Sequence, residues 1–251
     1  ALRVLRGKFD LNSVSPVLKE TPIEHPVNGK IDPMTTEQNN TYHITLLRHG
    51  ESVGNAEGYH QGQTEFHLTD QGRAQAQALA GYWQSESLTF DQIIASPQRR
   101  ARETVEILAG ALGFEIEFDP VWMERDNGVL GGLRHAEAAE KYPQPDFIPT
   151  YASIGRTGES LWELYLRGGR AIQSLLHRPP GRYLVVSHGG ILNMVMYAIL
   201  GITPMPNFHG PRFRFQNTAF ATLSYHPARH VWHVHGVNQR PHWDENEVYY
   251  L

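Results

Sequence analysis

One local pattern occurs twice in this chain and restricts its fold more than any bulk property: an apolar, β-prone run that ends in histidine and glycine. The first copy is HITLLRHGES, residues 43–52, and the second is YLVVSHGG, residues 183–190. A run of about four apolar residues is too short for a helix, so each copy reads as a buried strand. Arg48, His49 and Gly50 then emerge at the carboxyl end of the first strand, where open α/β sheets hold their ligands. Arg48 beside His49 depresses the proton affinity of the imidazole and keeps it neutral, and a neutral imidazole is a nucleophile. Gly50 is read as leaving room for backbone to approach a ligand.

The rest of the chain alternates between the two periodicities. Thr69 caps a helix predicted over Asp70–Trp83, and a strand over Phe90–Ala95 follows. Ser96 and Pro97 look like the cap and first residue of a helix running to Leu112. Phe114–Phe118 is a third strand, and Glu159–His177 is a long helix ended by Pro179, Pro180 and Gly181. A helix from the second histidine to Leu200 and strands over Phe220–Tyr225 and Val231–Val237 complete the pattern. Residues 53–68 read as a site-lining loop, and 134–158 as an excursion over one face, of the kind that serves as a lid. Such alternation implies an α/β fold, a three-layer sandwich with a mostly parallel central sheet between helices.

Residues 41–251 are read as one domain and residues 1–40 as an N-terminal extension: its first 33 residues are either an expression leader or a genuine arm packing on the body or a partner subunit. A homodimer is left open. With 40% hydrophobic residues the chain can bury a sizeable core. A net charge of -4 gives no general attraction for nucleic acid or an anionic membrane, so an anionic ligand must be held by local positive charge. No cysteine is present, which excludes disulfides and thiolate chemistry. No run is long enough to span a membrane, and a cytoplasmic protein is expected.

Four separated stretches bring charged groups to strand ends or helix starts. Arg48 and His49 come from the first. SPQRRARET, residues 96–104, places Arg100 and Thr104 on one helix face, with two of its three arginines read as solvated. Glu124 stands in an irregular, glycine-studded segment and suits a general acid or an arginine partner. His188 closes the set. Two strand-end histidines, two arginines and one carboxylate match the needs of phosphoryl transfer through a phosphohistidine: cationic donors neutralise the phosphoryl oxygens and a carboxylic acid protonates the leaving alkoxide. With arginines as the clamp, no metal and no cofactor is required. A different reading takes His230, His233, His235 and His242 as a zinc site, although such residues are more often an edge strand's solvated face.

These stretches carry a resemblance. LLRHGES at 46–52, Asn55, QGQ and LTDQGRAQA within 61–76, SPQRRARET, WMERDNGVLGGL at 122–133, GES at 158–160 and VVSHGG at 185–190 are similar, in order, to the motifs of the histidine phosphatase superfamily, the group that includes cofactor-dependent phosphoglycerate mutases. The resemblance implies that His49 becomes phosphorylated, that Arg48, Arg100 and His188 bind the phosphoryl group, and that Glu124 is the proton donor. Asn55 and the backbone amide of Gly189 resemble accessory phosphate contacts. Between phosphatase and mutase, Gly190 stands where mutases carry asparagine after the His-Gly pair, and Gly54 and Tyr59 also depart from the pattern. A phosphatase acting on a small phosphorylated metabolite is therefore expected, with a phosphoglycerate mutase as the alternative.

Overall fold

The computed structural model describes residues 40–243, so all but the last residue of the N-terminal extension lies outside the described region. Six strands, β1 (Tyr42–Arg48), β2 (Gln92–Ala95), β3 (Ile116–Phe118), β4 (Arg182–Ser187), β5 (Phe220–His226) and β6 (Val231–Gln239), form one sheet in the order β3-β2-β4-β1-β5-β6. The pairs β3–β2, β2–β4 and β4–β1 are parallel, whereas β5 and β6 are added antiparallel beside β1. The sheet is thus mostly parallel, with an antiparallel edge. Among the described residues the α-helices are α1 (Val53–Ala56), α2 (Asp70–Ser85), α3 (Arg99–Leu112), α4 (His135–Lys141), α5 (Leu161–Leu176) and α6 (Gly189–Leu200).

Alternation along the strands builds two cores, one on each face. Ile44, Leu46, Tyr183 and Val185 pack toward α5 and α6, against Ala171, Leu175, Leu192, Val195 and Met196. Leu47, Leu184 and Val186 face the other way, toward Leu79, Trp83, Val105 and Leu108 of α2 and α3. Both faces of β1 and β4 are buried, which is why their sequences show continuous apolar runs instead of alternation. Truncating a fully buried leucine such as Leu46 to alanine costs on the order of 2–5 kcal/mol.

Helix boundaries follow local chemistry. The Thr69 hydroxyl accepts from Gly72 N–H and starts α2 as expected. Ser160 and Glu163 form a reciprocal capping box, so α5 begins at Leu161 and not at Glu159. Ser52 and Asn55 do the same for α1, a four-residue helix inside the stretch read as loop. The expected start of α3 is corrected: Gln98, not Ser96, sits at its cap position, and the Ser96 side chain points elsewhere. Gly113, at φ 76, ends that helix in the left-handed conformation glycine tolerates best. The 134–158 excursion has its own small core, with Leu130, Ala138 and Ile154 packed against Tyr142, Ile148 and Phe208.

Candidate active site

The register of the central strands brings the charged residues together. Leu46 pairs with Val185 and Arg48 with Ser187, so β1 and β4 end level, and His49 N–H donates to the Ser187 carbonyl at 3.0 Å. The imidazoles of His49 and His188 consequently stand 5.1 Å apart between ring centroids. Both are buried. From β2, next to β4, Ser96 reaches the same edge, its N–H held by the Val186 carbonyl at 2.9 Å.

Hydrogen bonds set the two rings in different senses. His49 Nδ1 lies 2.6 Å from the Gly50 carbonyl oxygen. A carbonyl only accepts, so Nδ1 carries the proton and Nε2 keeps its lone pair. His188 Nε2 lies 2.8 Å from Ser96 Oγ, an oxygen that already accepts from Gln98 N–H. With the serine proton directed to Nε2, the His188 proton resides on Nδ1. Burial, reinforced by Arg100 and Arg48, holds the affinity of His49 for a proton well below the ordinary imidazole range, against the opposing pull of the Gly50 carbonyl. Burial dominates for His188 too, followed by Arg100, His49 and Arg48.

The arginines are held by backbone carbonyls. Arg48 Nη1 donates to Phe215 O at 2.7 Å; Arg100 Nη2 and Nη1 donate to Gly62 O and Thr64 O at 2.8 and 3.1 Å. Burial lowers the Arg100 pKa to about 10, so the guanidinium stays charged near neutrality. Among the described residues, five buried side-chain nitrogens lack a hydrogen-bond partner, and three of them, Arg48 Nε, Arg100 Nε and His188 Nδ1, belong to this cluster. Unsatisfied buried donors are costly, and donors concentrated round one space mark a place for an anion with several acceptor oxygens. The two arginines border a cavity of about 840 Å³, walled by Arg48, His49, Arg100, Glu124 and Gly189 among others, whereas His188 is not among its lining residues. Its size is typical of small-molecule sites.

Glu124 enters from the opposite side. Its carboxylate lies at the amino end of α6, where Oε2 accepts from Gly190 N–H at 2.9 Å and Oε1 from Ile191 N–H at 3.1 Å. A Cβ at Gly190 would meet Glu124 Oε1 at 2.3 Å, so only glycine leaves the carboxylate that seat. Arg167 fixes the backbone behind it, donating to the carbonyls of Val121, Met123 and Glu124 while pairing with both oxygens of Glu159.

One expectation needs correction. The room at Gly50 serves packing instead of a ligand: a Cβ there would lie 2.5 Å from the Gly72 carbonyl oxygen, and its N–H donates to Thr104 Oγ1. Asn55 is not among the residues that line the cavity, and its Oδ1 accepts from Ser52 and from Asn217 Nδ2. Gly189 does line it, beside Arg48. As expected, two of the SPQRRARET arginines turn away: Arg99 pairs with Glu103 and Arg102 packs over Phe118. His235 is engaged by Ser224 and His242 by Thr218, and among the described residues no group of three or more potential ligands is arranged to hold a metal. Sequence reasoning missed Ser96 as a partner of His188, Gln98 as a bridge between Glu124 N–H and Gly62 O, and the Arg167 clamp.

Comparison with known proteins shows the family and the fold. The profile of the histidine phosphatase superfamily (branch 1) matches residues 44–239, and the chain belongs to that family. A probable phosphoglycerate mutase GpmB from Enterobacter sp. is 35% identical over 187 residues, which cover 72% of this chain and 84% of that one. The probable phosphoglycerate mutase GpmB of Salmonella choleraesuis is 33% identical over 208 residues, covering 80% and 94%. Among solved structures, YhfR from Bacillus stearothermophilus superposes with a TM-score of 0.68 at 26% identity, covering 80% of this chain and 98% of that one. A mycobacterial glucosyl-3-phosphoglycerate phosphatase in complex with VO3 gives 0.66 at 25% identity, with 78% and 98% covered. Among the described residues no helix is long and apolar enough to cross a membrane.

Proposed function

We propose that the chain is a phosphomonoesterase that hydrolyses a small phosphorylated metabolite through a phosphohistidine on His49. The observation that carries the reading is the meeting, on one cavity, of a neutral imidazole bearing its lone pair on Nε2 with two arginines, Arg48 and Arg100, whose buried Nε atoms are unpaired. His49 Nε2 attacks phosphorus as the ester P–O bond breaks; Arg48, Arg100 and His188 Nδ1–H absorb charge on the equatorial oxygens, and the Glu124 carboxylic acid protonates the leaving oxygen. The Glu124 carboxylate then takes a proton from water as its oxygen attacks phosphorus. The P–N bond breaks, inorganic phosphate departs, and His49 and Glu124 return to their starting states. Guanidinium groups do the clamping, so turnover is expected to survive a strong chelator.

The names of the relatives favour a second reading, a cofactor-dependent phosphoglycerate mutase. Gly190 weighs against it. An asparagine there, as in the mutase pattern, would collide with the seat that Glu124 now occupies. A turnover screen across phosphorylated metabolites, combined with labelled 3-phosphoglycerate, separates the two. Release of inorganic phosphate without exchange between phosphoglycerate positions is the expected result; efficient isomerisation with little release would replace the phosphatase by the mutase.

A further inference from the structure

The backbone of His49 is gripped from behind the cavity. Thr218 N–H donates to Arg48 O at 3.1 Å and to His49 O at 3.3 Å, and Asn217 Nδ2 donates to His49 O at 3.0 Å and to Asn55 Oδ1 at 3.2 Å. With His49 N–H bonded to the Ser187 carbonyl, both ends of that residue's backbone are fixed. Neither Asn217 nor Thr218 lines the cavity, so any effect of this corner on the chemistry passes through its neighbours on β1.

Thr218 adopts an unfavourable conformation to make these bonds. Its φ is 52°, in the left-handed region, an outlier for a β-branched residue that persists only where the surroundings over-determine it. The determining contacts come from the segment after β6. The buried Thr218 Oγ1 donates to Asn217 O at 2.8 Å, accepts from Trp243 Nε1 at 3.1 Å, and lies 3.0 Å from His242 Nε2. A hydroxyl has one proton and two lone pairs, so with its proton on Asn217 O the remaining bond is donated by His242 Nε2–H. The hydroxyl is then fully used. Burial, followed by Arg240, lowers the His242 pKa to about 4, which keeps that ring neutral with its buried Nδ1 unpartnered. Arg240 lies over the Trp243 ring at 4.7 Å, and Asn238 exchanges two hydrogen bonds with Gln216 at 2.9 and 3.1 Å, so residues 238–243 clasp the corner at several points.

We propose that Thr218, held by His242 and Trp243, is a positioning residue for the nucleophile: it keeps the His49 peptide, and with it the imidazole, aligned toward the phosphoryl group. The proposal rests on the reading of His49 as nucleophile. The ring follows its backbone because Nδ1 bonds the adjacent Gly50 carbonyl, so a displaced 49–50 peptide turns Nε2 away from phosphorus. A misplacement on the order of 1 Å can cost about a hundredfold in rate.

Substitutions at the corner separate positioning from stabilisation. Thr218→Val keeps the branched shape and loses the hydroxyl, so kcat on an aryl phosphate should fall about tenfold with KM nearly unchanged. Thr218→Gly adopts a positive φ unaided and should lose no more than about threefold, while Thr218→Ser, which retains the hydroxyl, should keep most of the rate. Should Thr218→Val not fold, Trp243→Phe removes the indole N–H, keeps an aromatic ring, and should lower kcat about threefold. A corner that served stability alone would lower the denaturation midpoint and leave kcat untouched. Unaltered kcat in Thr218→Val, or in Trp243→Phe where the first variant does not fold, therefore overturns the assignment, as does a Thr218→Gly protein as impaired as Thr218→Val. The ¹⁵N resonances of the His49 ring read the corner without turnover: a single Nδ1–H tautomer is expected in the unaltered protein and a mixture in Thr218→Val, and identical resonances would overturn it. A mixture together with turnover that survives His49→Ala would sink the catalytic reading and keep the corner as what aligns the ring.

Discussion

The carboxyl ends of β1 and β4 carry the same pattern, an apolar strand followed by histidine and glycine, yet the two imidazoles are held in opposite senses. At β1 the ring is fixed through Nδ1 by its neighbour's carbonyl, a contact that never leaves the local chain. At β4 the ring is fixed through Nε2 by Ser96, 92 residues away on another strand. The first arrangement presents a lone pair and the second an N–H. Repetition of a motif therefore supplies two equivalent seats in the fold, and in the proposed reaction the hydrogen-bond partner behind each ring decides which acts as nucleophile and which as donor.

Substitutions should separate the two. His49→Ala should lower kcat by about four orders of magnitude or more, the scale for loss of a nucleophile, whereas His188→Ala should lower it by about two to three, the scale for one charge-stabilising donor. Steady-state kinetics on an aryl phosphate measures both, and equal losses would erase the distinction between the seats. Ser96→Ala should cost about tenfold in kcat/KM by freeing the His188 tautomer, and Ser96→Thr, which retains the hydroxyl, should recover most of it. A Ser96→Ala protein with full activity would show that the β4 ring is set by something else.

The smallest expected effect concerns pH. Both histidines bind protons well below the ordinary imidazole range in the folded protein, chiefly through burial, while in the unfolded chain they titrate near about 6.5. Below that pH the unfolded chain takes up protons that the native state refuses, so stability falls as pH falls and is unaffected above it. Denaturant midpoints measured between about pH 6.5 and 5 should decline, and His188→Gln should flatten that decline. An unchanged slope would mean that the β4 seat does not exclude a proton.

Much of this was legible in the sequence because it is local. Buried strands are continuous apolar runs, and β1 and β4 have them; Thr69 announces α2 within three residues of its bond partner. Arg100 and Glu124 were also legible, as charged groups placed where regular structure has no use for them. The unread part was relational. Ser96 precedes proline and looks like a helix cap, and only the adjacency of β2 and β4 turns its hydroxyl toward His188. Arg167, in the middle of an amphipathic helix, resembles any surface arginine until α5 is laid beside the 120–124 segment. Asn55 fitted a motif, and the pairing of its oxygen with Ser52 and with the distant Asn217 is invisible in one dimension.

The central claim is that phosphorus is carried on Nε2 of the β1 histidine. Rapid acid-free quenching during turnover, followed by mass-spectrometric mapping and ³¹P NMR of the trapped protein, reports it directly. An alkali-stable adduct on His49 Nε2, absent from His49→Ala, is the expected result. An adduct on His188, an adduct on Nδ1, or turnover with no adduct at all would contradict it.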